Sequence, residues 1–461
     1  MNTETHVSNR WSNKYAYILA ATGAAVGLGN LWKFPYIMGE NGGGAFVLVY
    51  LLCILFIGIP VMMAEVAIGK RGRSTPANAA AMVAKESGHS SHWSIIGSMG
   101  VLAGFLILSF YVVIAGWAVA YVLYAGTGEF SAAAADPATH AEAIGSLFGN
   151  LVSSVPQLLI WTTLLIVAVV YVLSKGVKDG LETAVTYLMP AMFVLLVGIM
   201  IYSAIVGDFF AAFAFMFHVD FSQLSVEGVL VALGHAFFTL SLASGIMMVY
   251  GAYLPKDVSI AKTSIMIAIA DTVVALIAGL AIYPIVFAHG LEPSAGPGLL
   301  FQALPIAFGS MPMGDFFGTL FFVMVVFAAF TSAIALLESA AAYLVERQGF
   351  GRAKASIIAG TGIWLLSLLT IFSLSGESWT LLPFMGEGKT IFDGLDYLTA
   401  NILLPLGGLL ISVFVGWFMK DELVKAEFNL SDGQYKLVML LLRYVAPIAI
   451  IFVFINAIGL F

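Results

Sequence analysis

The sequence predicts an all-α membrane protein with eleven transmembrane helices. Of the 461 residues, 61% are hydrophobic and 10% are charged, and the mean hydropathy is +1.00. Long apolar runs recur along the chain, and a helix needs about 20 such residues to cross the hydrocarbon of a bilayer. Loops that contain Lys and Arg alternate with loops that contain neither, and two of the apolar runs are interrupted by glycines and polar residues.

The apolar runs define the individual spans. We place them at residues 15–39, 44–69, 95–125, 154–174, 181–206, 228–253, 260–288, 315–345, 353–372, 391–419 and 436–459. The net charge of −7 does not favour a nucleic-acid partner, because a phosphate-binding surface needs clustered Lys and Arg. The expected surroundings are therefore the lipid bilayer.

The distribution of basic residues orients the chain. Loops 126–153, 207–227 and 289–314 contain no Lys or Arg, whereas the alternate loops contain them. By the positive-inside rule, the N-terminal segment 1–14 and loop 420–435 are cytoplasmic, and loop 207–227 is extracellular. The last segment, 436–461, then consists of the eleventh span and an extracellular C-terminus. Lys33 and Lys389 do not fit this alternation.

Two spans contain residues that a continuous membrane helix does not favour. The first span includes GAAVGLGNLWKFPY, residues 23–36, and the sixth includes FFTLSLASG, residues 237–245. A glycine pair alone is more typical of close helix packing. However, these interruptions fall in the first helix of two halves, 15–206 and 228–419, and such a pairing indicates a transporter's binding site. Unwinding there frees N–H groups for an anion and carbonyls for cations.

Three other classes of membrane protein fit the sequence less well. A channel needs a continuous ring of polar or charged residues, whereas the polar groups here cluster at two interruptions. A receptor or scaffold needs no paired interruptions, and counterflow in proteoliposomes distinguishes it from a transporter. An enzyme needs a nucleophile–base pair or a metal cluster, and the seven histidines show no such spacing. We therefore expect no catalytic residues.

The two interrupted runs, together with ENGGGAF (40–46) and FTSAIA (330–335), resemble the neurotransmitter:sodium symporter family. The resemblance extends over essentially the whole chain and points to the bacterial amino-acid transporter branch. Some members of that branch, such as the multi-hydrophobic amino acid transporter, stop after eleven spans. The family resemblance implies a 5+5 inverted-repeat, leucine-transporter-type fold with unwound helices 1 and 6. It also implies alternating access in the plasma membrane, the inner membrane of a bacterium, by a monomer or weak dimer.

The resemblance implies two sodium sites built from oxygen ligands. The first would combine the substrate carboxylate with Ala25, Asn30, Thr239 and Asp271. The second would use the carbonyls of Gly23, Val26 and Ala328 and the hydroxyls of Thr331 and Ser332. On the sequence alone, Thr and Ser in a membrane helix more often bond to their own turn.

The resemblance also implies a pocket for a neutral, hydrophobic or aromatic L-amino acid. The residues expected to form it are Ala24, Ala25, Leu28, Gly29, Ile107, Tyr111, Phe238, Thr239, Ser241, Ser244, Ser332 and Leu336. Relatives that carry monoamines have Asp at the position of Gly27, so the substrate here is expected to bring its own carboxylate. An apolar wall rejects charged side chains. The alternatives are a carrier of another small zwitterion and a non-transporting amino-acid receptor of the same fold.

By resemblance, gates lie on both sides of this pocket. On the outside, Lys33 and Asp396 would pair above a lid formed by Tyr111 and Phe238. The family usually has Arg at position 33, and the ammonium of Lys cannot form the bidentate fork that Arg forms. On the cytoplasmic side, the gate positions are Trp11, Tyr253 and Glu346, with Arg10 as the candidate cationic partner.

Two glutamates and one Gly–Pro pair also have expected structural roles. Glu65 and Glu338 are ionisable residues within spans, and we expect them to satisfy backbone groups around the unwound segments. Gly180 and Pro190 match a Gly-x9-Pro spacing that in relatives lets the fifth span unwind.

Asp271 is a departure from the many relatives that have Asn at this position. Some of those relatives need chloride, bound partly by Tyr, Gln and Ser, and the corresponding positions here are Tyr50, His235 and Ala275. A carboxylate at position 271 can supply the negative charge that chloride otherwise provides. We therefore expect no chloride requirement, and we interpret His235 as a satisfied buried histidine.

Overall fold

The computed structural model describes residues 11–136, 138–292 and 298–457. Within these ranges the regular elements are all helices, and one isolated β-bridge joins Leu381 to Thr390. The first ten helices are α1 (Lys14–Ala25), α2 (Phe34–Glu40), α3 (Gly44–Gly72), α4 (Pro76–Glu86), α5 (Ser91–Gly126), α6 (Glu129–Ala133), α7 (His140–Ser153), α8 (Val155–Ser174), α9 (Val177–Val206) and α10 (Phe209–Phe217). The others are α11 (Val226–Thr239), α12 (Ile246–Ala252), α13 (Ile260–Ala288), α14 (Leu299–Ser310), α15 (Gly314–Gln348), α16 (Arg352–Leu374), α17 (Ile391–Phe418), α18 (Asp421–Phe428) and α19 (Asp432–Asn456).

Nine helices of the described chain are long and apolar enough to cross a membrane. They are α3, α5, α8, α9, α13, α15, α16, α17 and α19. The two predicted spans that this set lacks are the first and the sixth. Each of these is divided into helical segments of 14 residues or fewer, which is shorter than the roughly 20 residues that a crossing requires.

The first division follows Ala25. Helix α1 starts under a cap in which the Asn13 side chain accepts the N–H groups of Tyr15 and Ala16, at 2.8 and 3.0 Å, and such caps satisfy donors that lack a partner within the helix. The helix ends at Ala25, and Val26 is extended, with φ −72° and ψ 109°. A π-helical turn, Gly29–Lys33, then leads into α2. The peptide group between Val26 and Gly27 is therefore outside the regular helical hydrogen-bond pattern.

The second division lies between Thr239 and Ile246. Ser241 and Ala243 have φ values of 53° and 60°, and this left-handed conformation costs a non-glycine residue roughly 1–2 kcal/mol. Glu65 of α3 stabilises the segment, because its buried carboxylate accepts the Ala243 N–H at 2.9 Å. Glu65 thus satisfies a backbone N–H group of an interrupted helix, as expected from the sequence.

The divided helices lie at the centre of the molecule. Helix α1 packs against α9, α13 and α15, while α12 packs against α3 and α15. The approach of α12 to α3 is close enough that a Cβ at Gly69 would collide with the Met248 carbonyl oxygen. The surrounding helices thus bury the two divisions and hold them side by side.

Candidate functional site

A cavity of about 40 Å³ lies between the two divisions, and we call it the central cavity. Of the twelve residues expected to form a pocket, all except Thr239 line it. Gly27, Leu242 and Leu404 line it as well. None of the described lining residues carries a charged side chain, so the wall disfavours a substrate with a charged side chain.

Hydrogen bonds connect the two divisions across this cavity. The Ser241 hydroxyl donates to the Ala24 carbonyl at 2.9 Å, which joins the second division to the first. The Leu28 N–H donates to the Tyr111 hydroxyl of α5 at 3.4 Å. The lining thus combines backbone and hydroxyl groups with apolar side chains, and binding sites for small molecules typically have this composition.

Asn30, Thr239 and Asp271 form a buried polar cluster beside the central cavity. The Asn30 Nδ2 donates to the Thr239 Oγ1 at 3.0 Å and to the Asp271 Oδ1 at 2.8 Å, and the Thr239 hydroxyl donates to the Asp271 Oδ2 at 2.9 Å. Ala25 lines the adjacent cavity wall. The side chains predicted for the first sodium site are therefore in contact, and their carboxylate, hydroxyl and amide oxygens suit a hard cation.

The residues predicted for the second sodium site meet at the contact between α1 and α15. The Ser332 hydroxyl donates to the carbonyl oxygens of Gly23 and Val26, both at 3.2 Å. The Thr331 hydroxyl donates to the Ala328 carbonyl of its own helix at 3.0 Å. Carbonyl and hydroxyl oxygens of two helices are thereby brought together, and oxygen ligands of this kind suit a hard cation.

One peptide group belongs to both clusters. The Val26 carbonyl accepts the Ser332 hydroxyl, and the Gly27 N–H of the same peptide donates to the Asn30 Oδ1 at 3.0 Å. The first division therefore connects the two candidate cation sites directly through its backbone.

The fifth span borders the second of these sites. Gly180 lies in a π-helical turn, Val177–Glu182, and Pro190 lies inside the α-helix that follows. Next to Pro190, the sulfur of Met189 would lie 3.0 Å from a Cβ at Gly23. Gly180 thus lies at a departure from a regular α-helix, whereas Pro190 lies within one, next to the Met189 side chain that contacts Gly23.

A second cavity, of about 410 Å³, lies beyond Phe238 and Leu404. We call it the outer cavity, and residues of α11, α17, α19 and the Gly29–Glu40 segment line it. The predicted pair between Lys33 and Asp396 is absent, because the ion pairs of the described residues include neither side chain. The Lys33 ammonium instead lies 4.5 Å from the centroid of the Phe238 ring, where the ring face attracts a cation.

On the side predicted to be cytoplasmic, Trp11 is attached to the end of α12. Its backbone N–H donates to the Tyr253 carbonyl at 3.3 Å, and its indole N–H donates to the Tyr250 carbonyl at 3.1 Å. Trp11 and Tyr253 are therefore neighbours, as predicted for a gate. Arg10, the predicted cationic partner, lies outside the described residues.

Glu346 lies in a different cluster from Trp11 and Tyr253. Its carboxylate accepts the Thr75 N–H at 2.7 Å, the Asn78 amide at 2.6 Å and the Ser74 hydroxyl. Donors at the start of α4 therefore satisfy the Glu346 carboxylate in this conformation, and its role in the cytoplasmic gate stays a prediction.

Glu338 has a charged partner that the sequence analysis did not identify. It is 0% exposed, its carboxylate pairs with both terminal nitrogens of Arg352, and it accepts the Tyr253 hydroxyl at 2.8 Å. Arg352 also donates to the Leu173 carbonyl at 3.2 Å. The expected backbone role of Glu338 was wrong, since its carboxylate joins α12, α15 and α16 through side chains.

His235 lies among aromatic rings. The centroid of its ring is 5.7 Å from that of Phe34 and 5.5 Å from that of Tyr50. Neither ring nitrogen of His235 has a hydrogen-bond partner in the described part of the chain. His235 also lines the outer cavity, and its interpretation as a satisfied buried histidine stays a prediction.

Leu404 is the lining residue that sequence reasoning had the least chance of finding. It is one of many leucines in an apolar span, and no periodic polar pattern marks the side of that span that faces the cavity. A π-helical turn, Leu398–Leu403, ends directly before it. Because such a turn changes which side chains face a given direction, only the three-dimensional structure identifies this wall.

Comparisons with known proteins agree with this geometry. A family model described as the sodium:neurotransmitter symporter family matches residues 8–143 and 139–461. An uncharacterized sodium-dependent transporter of Haemophilus influenzae is 36% identical over 466 residues, which cover 99% of each chain. The uncharacterized sodium-dependent transporter YhdH of Bacillus subtilis is 36% identical over 455 residues and 98% of each chain.

A solved structure resembles the chain over almost its whole length. The crystal structure of MhsT in complex with L-phenylalanine matches with a TM-score of 0.88 and 40% sequence identity. The match covers 97% of this chain and 99% of that chain. The architecture of the described helices is therefore that of a known amino-acid-binding membrane protein.

Proposed function

Because the chain belongs to the sodium:neurotransmitter symporter family, whose members are sodium-dependent transporters and not enzymes, we propose that it imports neutral L-amino acids with hydrophobic or aromatic side chains. The observation that carries this proposal is the central cavity, which has an uncharged wall and two oxygen-rich clusters beside it. The phenylalanine bound to MhsT supports an aromatic substrate here. Another small zwitterion is the second candidate, since the wall fixes side-chain identity only weakly.

The absence of a side chain at Gly27 supports a substrate that carries both charges itself. The cavity wall at this position offers backbone and the Tyr111 hydroxyl, with no carboxylate for an amine. The substrate carboxylate would therefore approach the Gly29 N–H, Tyr111 and the first sodium ion. Carbonyl groups exposed at the two divisions would receive the ammonium.

Two sodium ions would be transported with each amino acid. In the first site, the Asn30 Nδ2 now faces the Asp271 carboxylate, so the amide must turn before its oxygen can bind sodium. Moving two charges inward across about 100 mV releases roughly 4.6 kcal/mol. A thousandfold accumulation of substrate needs only about 4.1 kcal/mol, so the coupling is energetically sufficient.

The gates suggest how access to the central cavity alternates between the two sides of the membrane. In this proposal the protein has eleven spans, a cytoplasmic N-terminus and an extracellular C-terminus. In the described conformation, Lys33 lies over the Phe238 lid, and the contacts of Trp11, Tyr253, Glu338 and Arg352 join helices at the cytoplasmic side. Import would require closure over the lid and separation of the cytoplasmic contacts. The two five-helix repeats, 15–206 and 228–419, would carry out this exchange. The protein would work as a monomer or weak dimer.

Uptake by purified protein in proteoliposomes tests the proposal. An inward sodium gradient should drive accumulation of labelled L-leucine, and replacing sodium by choline should abolish it. Tryptophan and tyrosine should compete, whereas glycine and lysine should not. Sodium-dependent binding without counterflow would indicate the receptor of the same fold instead, and inhibition by lysine or glycine alone would contradict the substrate class.

Transport is expected to be independent of chloride. Asp271 supplies a negative charge beside the first sodium site, and Ala275 stands where chloride-dependent relatives have a serine. Replacing chloride by gluconate on both sides of the membrane should leave the initial rate of leucine uptake within about twofold of its original value. Loss of uptake in gluconate would show that Asp271 does not take the place of the anion.

Gly27→Ala is expected to reduce sodium-driven uptake at least about tenfold. An added Cβ would lie 2.6 Å from the Ser332 hydroxyl and 2.8 Å from the Tyr111 hydroxyl, so one methyl group displaces contacts of the second sodium site and the substrate pocket. Overpacking of this kind costs about 1–3 kcal/mol. Gly198→Ala is the matched control, because no atom lies within 4 Å of a Cβ there. Equal uptake by the two variants would contradict the proposed site.

A further inference from the structure

Phe238 and Leu404 line both the central cavity and the outer cavity. Each of the other described lining residues borders only one of the two. We infer that these two side chains form the partition between the cavities, and that Leu404 sets the upper size limit of the amino acids that the central cavity accepts. This inference rests on the proposed function and assigns a specificity role to the tenth span.

The volumes of the two cavities indicate where space for a large side chain must come from. The central cavity measures about 40 Å³, which by the measure of about 10–15 Å³ per water holds on the order of three water molecules. A bulky amino acid therefore needs the wall to move. The adjoining outer cavity measures about 410 Å³, so displacement of the partition provides more space than compression of a packed helix.

Leu404 is the fixed member of the partition. It is only 3% exposed, and Gly407 and Gly408 lie one turn further along α17. A Cβ at Gly407 would lie 2.8 Å from the Ala243 Cβ, and one at Gly408 would collide with the Phe237 ring. Because these glycines let α17 contact the second division directly, the helix cannot move away from the cavity without losing that packing.

Phe238 is the adjustable member of the partition. It belongs to the last turn before the second division and is partly exposed, and the Lys33 ammonium covers its ring. An aromatic ring at such an edge can rotate to admit substrate, whereas the Leu404 side chain remains. The closed volume available to a substrate side chain is thus limited by Leu404.

The surroundings of the outer cavity determine which side chains would use the additional space. Beyond the partition lie Leu230, Val231 and Phe237 together with Lys33 and Glu227. Shortening Leu404 therefore extends the pocket into a region where apolar side chains lie beside polar ones, which also include His235, Asn401 and Asn456. The substrates expected to gain affinity from this extension are neutral L-amino acids with an aromatic group larger than indole.

The test compares competitors of increasing size for sodium-driven uptake of labelled L-leucine in proteoliposomes. For Leu404→Ala, the inhibitory potency of 3-(2-naphthyl)-L-alanine relative to L-leucine should rise at least about tenfold over the unaltered chain, because one methylene in an apolar pocket changes discrimination by roughly 10–200-fold. Leu404→Met conserves volume and should keep the original ratio. Leu410→Ala removes a leucine from the same helix that lines neither cavity, and it should also keep the ratio.

The outcomes separate this inference from the proposed function. If the unaltered chain shows no sodium-driven uptake, the proposed function fails, and the role of Leu404 fails with it. If the unaltered chain transports leucine but Leu404→Ala gives the same ratio as Leu410→Ala, only the role of Leu404 is overturned. If Leu404→Ala does not bind leucine in the presence of sodium, Leu404→Val replaces it in the same competition experiment. Because Val removes less of the side chain, the potency of 3-(2-naphthyl)-L-alanine relative to L-leucine should then rise at least about threefold.

Discussion

Asp271→Asn should raise the sodium concentration that gives half-maximal uptake at least about tenfold. The substitution keeps the shape of the side chain and removes its charge from the cluster with Asn30 and Thr239. Two opposite unit charges 4 Å apart attract by about 4 kcal/mol at an effective dielectric constant near 20. That energy corresponds to on the order of a thousandfold in affinity, and the lower burial cost of the amide offsets part of it.

Sodium titration of leucine uptake, in chloride and in gluconate, measures this effect. Asp315→Asn is the matched control, since it makes the same chemical change at the start of α15, where the carboxylate accepts the Ser131 N–H at 3.2 Å. Unchanged sodium dependence of Asp271→Asn would remove Asp271 from the first sodium site. By the family resemblance, His235 and Ala275 stand where chloride-dependent relatives have Gln and Ser, so chloride is not expected to rescue Asp271→Asn. Adding His235→Gln and Ala275→Ser to the Asp271→Asn variant should restore uptake in chloride but not in gluconate.

Arg352→Ala should lower the apparent melting temperature of the purified protein more than any removal of a surface cation. It would leave the fully buried Glu338 carboxylate without its charged partner, and breaking a buried ion pair typically costs about 3–5 kcal/mol. Tyr253, which donates to the same carboxylate, cannot neutralise its charge. Lys354→Ala is the control, because that exposed ammonium lies over the Phe350 ring, 4.4 Å from its centroid.

A double substitution distinguishes this electrostatic effect from lost packing. Glu338→Gln combined with Arg352→Gln removes both charges and should melt at a higher temperature than Arg352→Ala, since no uncompensated charge remains. The double variant should also transport at an altered rate if the pair keeps this side of the helix bundle closed. A double variant as unstable as Arg352→Ala would mean that packing, and not the charge pair, stabilises this junction.

The membrane class and the location of both divisions could be predicted from the sequence on physical grounds. Apolar runs follow directly from composition, and glycines with clustered hydroxyls mark positions where a helix is weak, such as Gly27 and Ser241. The assignment of residues such as Asn30 and Ser332 to sites came from the family resemblance. Their spacing in the chain did not determine which of them would meet.

What could not be predicted from the sequence concerns contacts between helices. Lys33 and Asp396 belong to different spans, and whether they pair depends on the conformation of the gate. Glu338 found its partner in Arg352 of the next helix, and Glu346 found donors at the start of α4. A sequence without aligned relatives gives the charge and depth of such residues, but the direction of each side chain depends on helix packing.

The peptide group shared by Val26 and Gly27 links the two proposed cation sites mechanically. A peptide unit is planar, so turning its carbonyl toward an ion at one site also turns its N–H relative to Asn30 at the other. When the Asn30 oxygen turns to a sodium ion, that N–H loses its acceptor and becomes available to a carboxylate. Occupancy at either proposed site would therefore change affinity at the other, and thermodynamic reciprocity would make the two changes equal. The two ions and the amino acid would then not bind independently of one another.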